Sequence, residues 1–428
     1  MSILAVPPEL IHAIVSNFRN AEPWILRELS LSHSIFREPA QHMLFSTFVV
    51  AFLRQNHPHW QTADQLLKRL SEQDGRFKRY VDHVVLDINR YKCPVEDEYV
   101  GADWDELDPV ELKDAVMEVL RALPHATSVT LRAGAPLSYP FARDRLDFFL
   151  AFLAWREETG APIHDLTINN LNDMPLAALH RILRSSPNVR IRYSRETGHG
   201  WPEDARLSGG GPAPRSLELL EAASVAPHFQ NPAFRESLRS LRAYSCTSPS
   251  ADLCASSAET LEYLAVHFDS LSGMHGLGGI VPANLHFASL SELNITAYWA
   301  PAYYDNLIYR FPLADWLAST SSPRLQSVII HIRWDRQDKA PRSIAHTRQS
   351  LADFAHRLDT ARHSLRFLWQ FEFELGAHPE EFRESVLSAI RSAMPVADRD
   401  GLLRCRVVQY EERCGRCYSY LCMCSMAY

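Results

Sequence analysis

Three stretches in the second half of the chain share one spacing: "LEYLAVHFD" (261–269), "LSELNITAY" (290–298) and "LQSVIIHIR" (325–333). Each begins with a leucine, carries a second apolar residue three positions later and a third two positions after that. The last two apolar residues are two positions apart, which places their side chains on one face of a β-strand. We therefore predict a short strand in each stretch.

The same spacing recurs along the chain, and helical patterns fill the intervals between its copies. Further copies begin at Val81, Ile163 and Leu238, with weaker ones near Val129, Val189, Leu365 and Leu403. Helical patterns are found in "DPVELKDAVMEVLRALP" (108–124), "MPLAALHRILRSSP" (174–187) and "TRQSLADFAHRLDTARHS" (347–364). Strands that alternate with helices predict an α/β chain with a parallel sheet.

Repetition in one order is typical of a leucine-rich-repeat solenoid, in which each unit adds a parallel strand to a concave sheet and a helix outside it. The copies start about 23 to 50 residues apart, beyond the roughly 20 to 29 residues of regular repeats, so the solenoid should be irregular. We assign it residues 51–428, with an acidic loop at about 93–111 and a glycine- and proline-rich loop at about 198–215. An ordinary α/β domain with a parallel sheet would give the same alternation and stays an alternative.

The first 50 residues show a different pattern, with three short helices predicted. In "VPPELIHAIVSNF" (6–18), Pro7 and Pro8 suit the start of a helix. Proline has no backbone N–H, and the N–H groups of a helix's first turn have no acceptor within the helix, so no hydrogen bond is lost there. Apolar residues follow at helical spacing on one stripe: Leu10, Ile11, Ile14, Val15 and Phe18. Apolar segments from Trp24 and, after a proline, from Ala40 predict two more helices. So small a module cannot bury all its apolar surface alone.

Residues 4 to 48 resemble an F-box, a helical module that binds the Skp adaptor of a Skp, cullin and F-box ubiquitin ligase. The resemblance rests on Pro-Pro-Glu-Leu, on "LSLSHSIF" (29–36) and on Pro39-Ala40 with Leu44-Phe45. It implies that these residues face the adaptor: Val6, Pro7, Pro8, Leu10, Ile14, Val15, Leu31 and Phe36. Val6, Val15 and Phe36 differ from the commonest residues at their positions but stay hydrophobic. The alternative is a helical cap on the first repeat.

Charge and composition favour protein partners. The formal charge is −7 and the pI is about 6.3, whereas binding to nucleic-acid phosphates needs a clustered basic face. We see no secretion signal, and the apolar stretches fall short of the roughly 20 residues that span a bilayer. The eight cysteines suit a reducing compartment. We therefore expect no nucleic-acid or membrane partner, and a location in the cytoplasm or nucleus.

No catalytic motif is present among those for acyl transfer, phosphate binding or zinc-dependent hydrolysis. We predict a non-catalytic protein with no catalytic residues, cofactor or metal. The tail "CGRCYSYLCMC" keeps one metal alternative open, a zinc site at Cys414, Cys417, Cys422 and Cys424. The second pair, Cys422 and Cys424, leaves little chain to wrap around an ion. We therefore prefer the interpretation that these cysteines are free, reduced thiols.

Three functional classes remain in competition. The preferred one is the substrate-recognition subunit of the ligase, which would bind the adaptor, through it a cullin, and an unknown protein substrate. A repeat scaffold without a ligase role is the second, and an enzyme with a dispersed site the third. Solenoids bind partners on their concave strands, so the substrate-binding candidates are Glu262, Tyr263, His267, Asn294 and Thr296.

Overall fold

The computed structural model describes 17 stretches of the chain that together contain the elements named below. They are residues 7–16, 23–51, 61–88, 91–92, 99–100, 109–172, 176–192, 214–220, 236–244, 248–268, 285–299, 313, 317, 321–334, 342–361, 367–374 and 380–408. These residues form two compact units, the first extending to Pro187 and the second beginning at Asn188. Each unit is described by itself.

The first unit begins with three helices and continues with strands that alternate with helices. Its helices are α1 (Pro8–Ser16), α2 (Pro23–Ser32), α3 (Ser34–Phe45), α4 (Ala63–Ser71), α5 (Pro109–Arg121), α6 (Tyr139–Glu158) and α7 (Leu176–Arg184), with a 3₁₀ segment at Glu72–Tyr80. Its strands are β1 (Thr47–Ala51), β2 (His83–Asp87), β3 (Tyr91–Lys92), β4 (Tyr99–Val100), β5 (Ser128–Ser138) and β6 (Asp165–Asn172).

The second unit has eight strands, and helices lie between its strands where the structure describes those intervals. The strands are β7 (Asn188–Arg192), β8 (Ser216–Leu220), β9 (Ser240–Tyr244), β10 (Tyr263–Phe268), β11 (Glu292–Trp299), β12 (Ser327–Trp334), β13 (Leu368–Glu374) and β14 (Leu403–Val407). The described helices are α8 (Ser248–Ser256), α9 (Arg342–Ala361), α10 (Glu380–Ala393) and α11 (Pro395–Arg399).

Within each unit the parallel strands lie side by side in chain order. The order is β1, β2, β5, β6 in the first unit and β7 through β14 in the second, while β3 and β4 form a separate antiparallel pair. An order without rearrangement, in which each crossover adds one strand, is consistent with a solenoid-like α/β fold and differs from doubly wound sheets, whose order reverses at a switch point.

A repeated hydrogen-bond pattern sets the register at the start of successive strands. In the first unit the Asp82 carbonyl accepts bonds from the amides of Thr127 and Ser128, both at 3.0 Å. In the second unit the Glu262 carbonyl accepts bonds from the amides of Ser291 and Glu292 at 2.9 and 3.2 Å. The carbonyls of Ser46, Thr127, Arg215, Arg239 and Ser291 do the same for the strands that follow them. One carbonyl thus binds two amides at the start of the next strand. This keeps the starts of neighbouring strands in register, although the chain segments between the strands differ in length.

Apolar rows on one face of the sheet build the core of each unit. Leu86, Leu131 and Ile168 are paired in register across β2, β5 and β6, and all three are buried. In the first unit α6 lies against β5 and β6 and contributes the buried rings of Phe149 and Phe152. The second unit has matching buried rows: Val189 and Ile191, Leu217 and Leu219, Leu264 and Val266, Leu293 and Ile295, Val328 and Ile330, Trp369 and Phe371.

Two buried arginines stabilise the first unit in different ways. On the opposite sheet face from the apolar row, the Arg132 Nε donates to Asp87 Oδ2 at 2.8 Å, and both side chains are almost fully buried. Arg156 on α6 donates to the carbonyls of Leu123, Pro124, Ala126 and Pro162. It therefore ties the turn after α5 to the turn before β6, and burial lowers the pKa of its guanidinium.

The predicted strands and helices are confirmed, with four additional strands and one change of boundary. Strands lie at all ten copies of the spacing, and β1, β3, β4 and β8 were not predicted. The break between the second and third helices lies at His33, whose Nδ1 accepts from the Ile35 amide at 3.2 Å, so Pro39 lies inside α3. The helix there lacks the hydrogen bond that a proline amide cannot donate, and the buried proline ring contributes apolar contact instead.

Two predicted features fall mainly outside the described residues. The glycine- and proline-rich loop at 198–215 is one, apart from its last two residues, and most of the acidic loop at 93–111 is the other. None of the helices in the described parts of the chain is both long enough and apolar enough to cross a membrane.

Candidate functional site: the N-terminal helices and the polar face of the second unit

The N-terminal helices have a small interior of their own. Val15, Leu26 and Ala40, one from each helix, are buried together. Leu29, Phe36, Met43 and Leu44 pack against them and are partly buried. We call α1, α2 and α3 the helical module.

The helical module is attached to α4, the 3₁₀ segment and the start of β2 through α3. The ring of Phe45 meets Phe77 edge-on with centroids 4.8 Å apart, and the Arg69 guanidinium lies 5.6 and 5.9 Å from the two centroids. Arg79 Nη2 lies 2.6 Å from Glu38 Oε1, and the Ser46 carbonyl accepts two amides at the start of β2. The attachment therefore uses the end of α3 and leaves the outer sides of α1 and α2 uncovered by it.

Large apolar side chains lie exposed on those outer sides. On α1, Leu10 is 54% exposed and Ile14 is 42% exposed, although their neighbours Ile11 and Val15 are buried. On α2, Trp24 is 59% exposed and Leu31 is 67% exposed. Apolar residues clustered on one small module in this way are typical of a surface that another protein covers.

The predicted adaptor-facing residues divide into three groups. Pro7, Leu10, Ile14 and Leu31 are exposed. Val15 lies in the interior of the helical module, and Phe36 is partly buried against that interior. Both therefore pack inside the module and do not belong to its exposed apolar surface. Val6 and the Pro8 side chain lie outside the described residues, although Pro8 is the first residue of α1.

Trp24 is an exposed apolar residue of the helical module that was not among the predicted adaptor-facing residues. It lies seven residues before Leu31, and this spacing puts both side chains on the side of α2 opposite the buried Leu26. Beside them is an open depression of about 430 Å³ lined by Ile25, Glu28, Leu29, Leu31 and Ser32. The helical spacing of Trp24 and Leu31 relative to Leu26 was the available signal.

The predicted substrate-binding residues lie on or beside one face of β10 and β11. Tyr263, Asn294 and Thr296 share that face by register, and the backbone of His267 pairs with Thr296. The Tyr263 hydroxyl accepts from Arg242 Nη2 at 3.1 Å, and Glu262 Oε1 lies 3.7 Å from Arg239 Nε. Thr296 is buried, Asn294 is half-buried, and the His267 side chain lies outside the described residues. Their proposed contact with a substrate stays a prediction.

Charged clusters lie on the same face and were not selected from the sequence. Arg192 Nε and Nη2 donate to Glu218 Oε1 at 3.0 and 2.6 Å, and Arg190 Nε lies 3.8 Å from Glu218 Oε2. Alternation of charged and apolar residues in "NVRIR" (188–192) is the signal that could have identified this cluster.

The second cluster surrounds the Glu372 carboxylate near the end of the sheet. Oε1 accepts from Gln370 at 2.6 Å and from Arg406 Nε at 2.9 Å, and Oε2 lies 3.2 Å from His331 Nδ1. Burial is the largest influence on this carboxyl group and opposes ionisation. The hydrogen bonds from Gln370, Arg406 and His331, together with the positive charge of Arg406, outweigh it, so the pKa of Glu372 is lowered.

Metal chemistry finds no support among the described residues. In the described parts of the chain, no three His, Cys, Asp or Glu side chains are grouped so as to hold a metal ion. Burial raises the pKa of the Cys254 thiol to about 12 and that of Cys405 to about 11. Cys414, Cys417, Cys422 and Cys424 lie outside the described residues, so the zinc alternative there stays open.

Comparison of the chain with protein-family models, curated proteins and solved structures finds no match.

Proposed function

We propose that the protein is the substrate-recognition subunit of a Skp, cullin and F-box type ubiquitin ligase. The helical module binds the adaptor, and the surface of the repeats binds a protein substrate. Such a receptor performs no covalent chemistry. It raises the effective concentration of a substrate lysine near the loaded conjugating enzyme by holding both in one assembly.

The exposure of Leu10 and Ile14 is the observation that carries this proposal. The two residues lie on α1 next to Ile11 and Val15, which are both buried. If the helical module only capped the first repeat, we would expect its largest apolar side chains to be buried against that repeat. Contact through α3 instead leaves them available to a partner, as the resemblance to an F-box requires.

The arrangement of the strands supports the repeat half of the proposal. Parallel strands follow one another in chain order in each unit, at intervals longer and less regular than those of regular leucine-rich repeats. We assign the chain to an irregular leucine-rich-repeat architecture on this basis. The polar side of β10 and β11, with Tyr263 and Asn294, is then the proposed substrate surface.

A scaffold without a ligase role is the second candidate, and the attachment of α3 favours it. Phe45 and Glu38 contact the 3₁₀ segment, and the Ser46 carbonyl binds the start of β2, as expected of a helix that belongs to the fold of the first unit. In that case the helical module serves the fold, and the repeats bind proteins for another purpose.

Affinity purification from cells separates the two candidates. The full chain and its Leu10→Asp variant are expressed with the same tag at equal levels, and the copurifying proteins are identified. We expect an adaptor and a cullin with the unmodified chain and neither with the variant. Their absence from the unmodified chain, with other proteins retained, would favour the scaffold.

A further inference from the structure

Lysine is scarce in this chain, and arginine supplies most of its positive charge. The sequence has 5 lysines and 39 arginines, although lysine is among the commonest residues of soluble domains. Four of the lysines precede residue 114, and Lys339 is the single one after it. Charged residues still make up 22% of the chain, close to the average of about 25%. The amount of charge is therefore ordinary, and only the choice between the two basic side chains is unusual.

The lysines whose side chains the structure describes all lie in the first unit. Lys68 is exposed on α4, and Lys78 and Lys113 are half-buried on the 3₁₀ segment and α5. In the second unit, every Lys or Arg side chain that the structure describes is an arginine. The described strands around the proposed substrate surface thus carry positive charge without a lysine amine.

Arginines border the proposed substrate surface on both sides. Pairing across neighbouring strands places Arg190 on β7, Asn294 on β11 and Arg404 on β14 in one row of the sheet. Side chains of one such row leave the same face of the sheet, and so do those two positions further along each strand, which include Arg192 and Arg406. A lysine at any of these positions would share the face that we assign to the substrate.

Contacts explain the choice of arginine at some positions of this face but not at others. Arg242 lies 5.6 Å from the centroid of the Tyr263 ring, and Arg192 donates through two nitrogens to Glu218. Both arrangements suit a planar guanidinium better than an ammonium group. The Arg404 side chain, by contrast, is exposed and makes no hydrogen bond or ion pair with a described residue. A lysine would give the same charge there, so the contacts supply no reason for arginine.

We infer that lysine is excluded from the substrate-binding unit so that the ligase transfers ubiquitin to the bound substrate and not to its own receptor. This inference rests on the proposed function. In the transfer, a lysine ε-amine attacks the thioester carbonyl that joins ubiquitin to a cysteine of the conjugating enzyme. An isopeptide C–N bond forms, the C–S bond breaks, and the departing thiolate takes up the proton that the amine loses.

Arginine cannot replace lysine in this reaction. A guanidinium keeps its proton at neutral pH and is no nucleophile, whereas the lysine amine is the group that accepts ubiquitin. A lysine fixed on the receptor would be held near the loaded conjugating enzyme at an effective concentration on the order of millimolar. It would therefore compete directly with the lysines of the substrate.

The test supplies the receptor with the amines that it lacks. The full chain and its variants are assembled with the purified remaining subunits of the ligase, and activating and conjugating enzymes, ubiquitin and ATP are added without a substrate. Arg404→Lys and Arg190→Lys should acquire ubiquitin at the substituted position, about tenfold faster than the unmodified chain acquires it anywhere. Mass spectrometry identifies the modified position. Arg404→Gln and Arg190→Gln are the matched controls, because they remove the guanidinium without adding an amine, and they should react as the unmodified chain does.

Adaptor affinity and melting temperature, measured for every variant, separate this inference from the proposed function. If the unmodified chain does not bind the adaptor, the proposed function is refuted and the inference with it. If the adaptor binds but neither lysine variant reacts faster than the unmodified chain, the inference alone is refuted. Should one lysine variant have a lowered melting temperature, the other decides, because Arg190 and Arg404 lie on the first and last strands of the second unit.

Discussion

Leu10→Asp should abolish adaptor binding while leaving the protein folded. Leu10 is half exposed in the third position of α1, so the substitution removes little buried surface in the free chain. An aspartate there also interacts favourably with the positive end of the helix. We expect the free energy of unfolding to change by no more than about 0.5 kcal/mol.

In the complex the same carboxylate would be buried without a partner. That burial costs about 3 kcal/mol or more, and each 1.4 kcal/mol is tenfold in affinity, so binding should weaken at least about 100-fold. The assay is titration calorimetry of the purified full chain with the adaptor, together with thermal unfolding followed by circular dichroism.

Ile11→Asp is the matched control, one residue along the same helix. Ile11 is 2% exposed, so this variant should destabilise the helical module by several kcal/mol and lose binding through unfolding. The reasoning is refuted if Leu10→Asp lowers the melting temperature as much as Ile11→Asp does, or if it binds with unchanged affinity.

Three further predictions concern stability, each measured by urea unfolding. Arg156→Met should cost about 2 to 4 kcal/mol, because four carbonyls, two of them in buried hydrogen bonds and two in partly buried ones, lose their donor; an unchanged unfolding midpoint would contradict the tie between the two turns. Arg132→Met should cost about 3 to 5 kcal/mol by leaving the Asp87 carboxylate without its guanidinium, and adding Asp87→Leu should recover most of that loss; no recovery in the double variant would argue against the ion pair as the cause. The folded pKa of Glu372 is lowered, so its contribution is complete above the ordinary glutamate pKa of about 4.3 and is lost as the pH falls through the folded value. Glu372→Gln should thus cost about 1 to 2 kcal/mol at pH 7 and less below about pH 4, whereas a cost independent of pH would show that the charge is irrelevant.

The alternation of strands and helices could be predicted from the sequence because each repeat buries the same apolar pair. Leu264 with Val266 and Leu293 with Ile295 show this spacing clearly. The missed strand β1, "TFVVA" (47–51), follows α3 after the single residue Ser46, with no glycine or proline to mark the boundary. The missed β8, "SLELL" (216–220), is short and ends in two adjacent leucines. The second leucine breaks the alternation of apolar and polar residues that identifies a strand.

The candidate site was harder to predict, because periodicity finds an apolar stripe but not the part of it that is covered. Leu10, Ile11, Ile14 and Val15 all belong to one stripe on α1, yet the first and third are exposed and the other two are buried. Which half is covered depends on where α2 and α3 pack, and that is tertiary information. For the same reason Trp24 was not distinguished from the apolar residues that follow it.

The most direct test of the central claim is an equilibrium binding measurement between the purified full chain and a purified Skp-type adaptor. The account predicts a one-to-one complex that is lost on Leu10→Asp and retained on Val396→Ala, which alters an exposed apolar residue of the second unit. No binding by the unmodified chain at adaptor concentrations well above those in cells would contradict the claim.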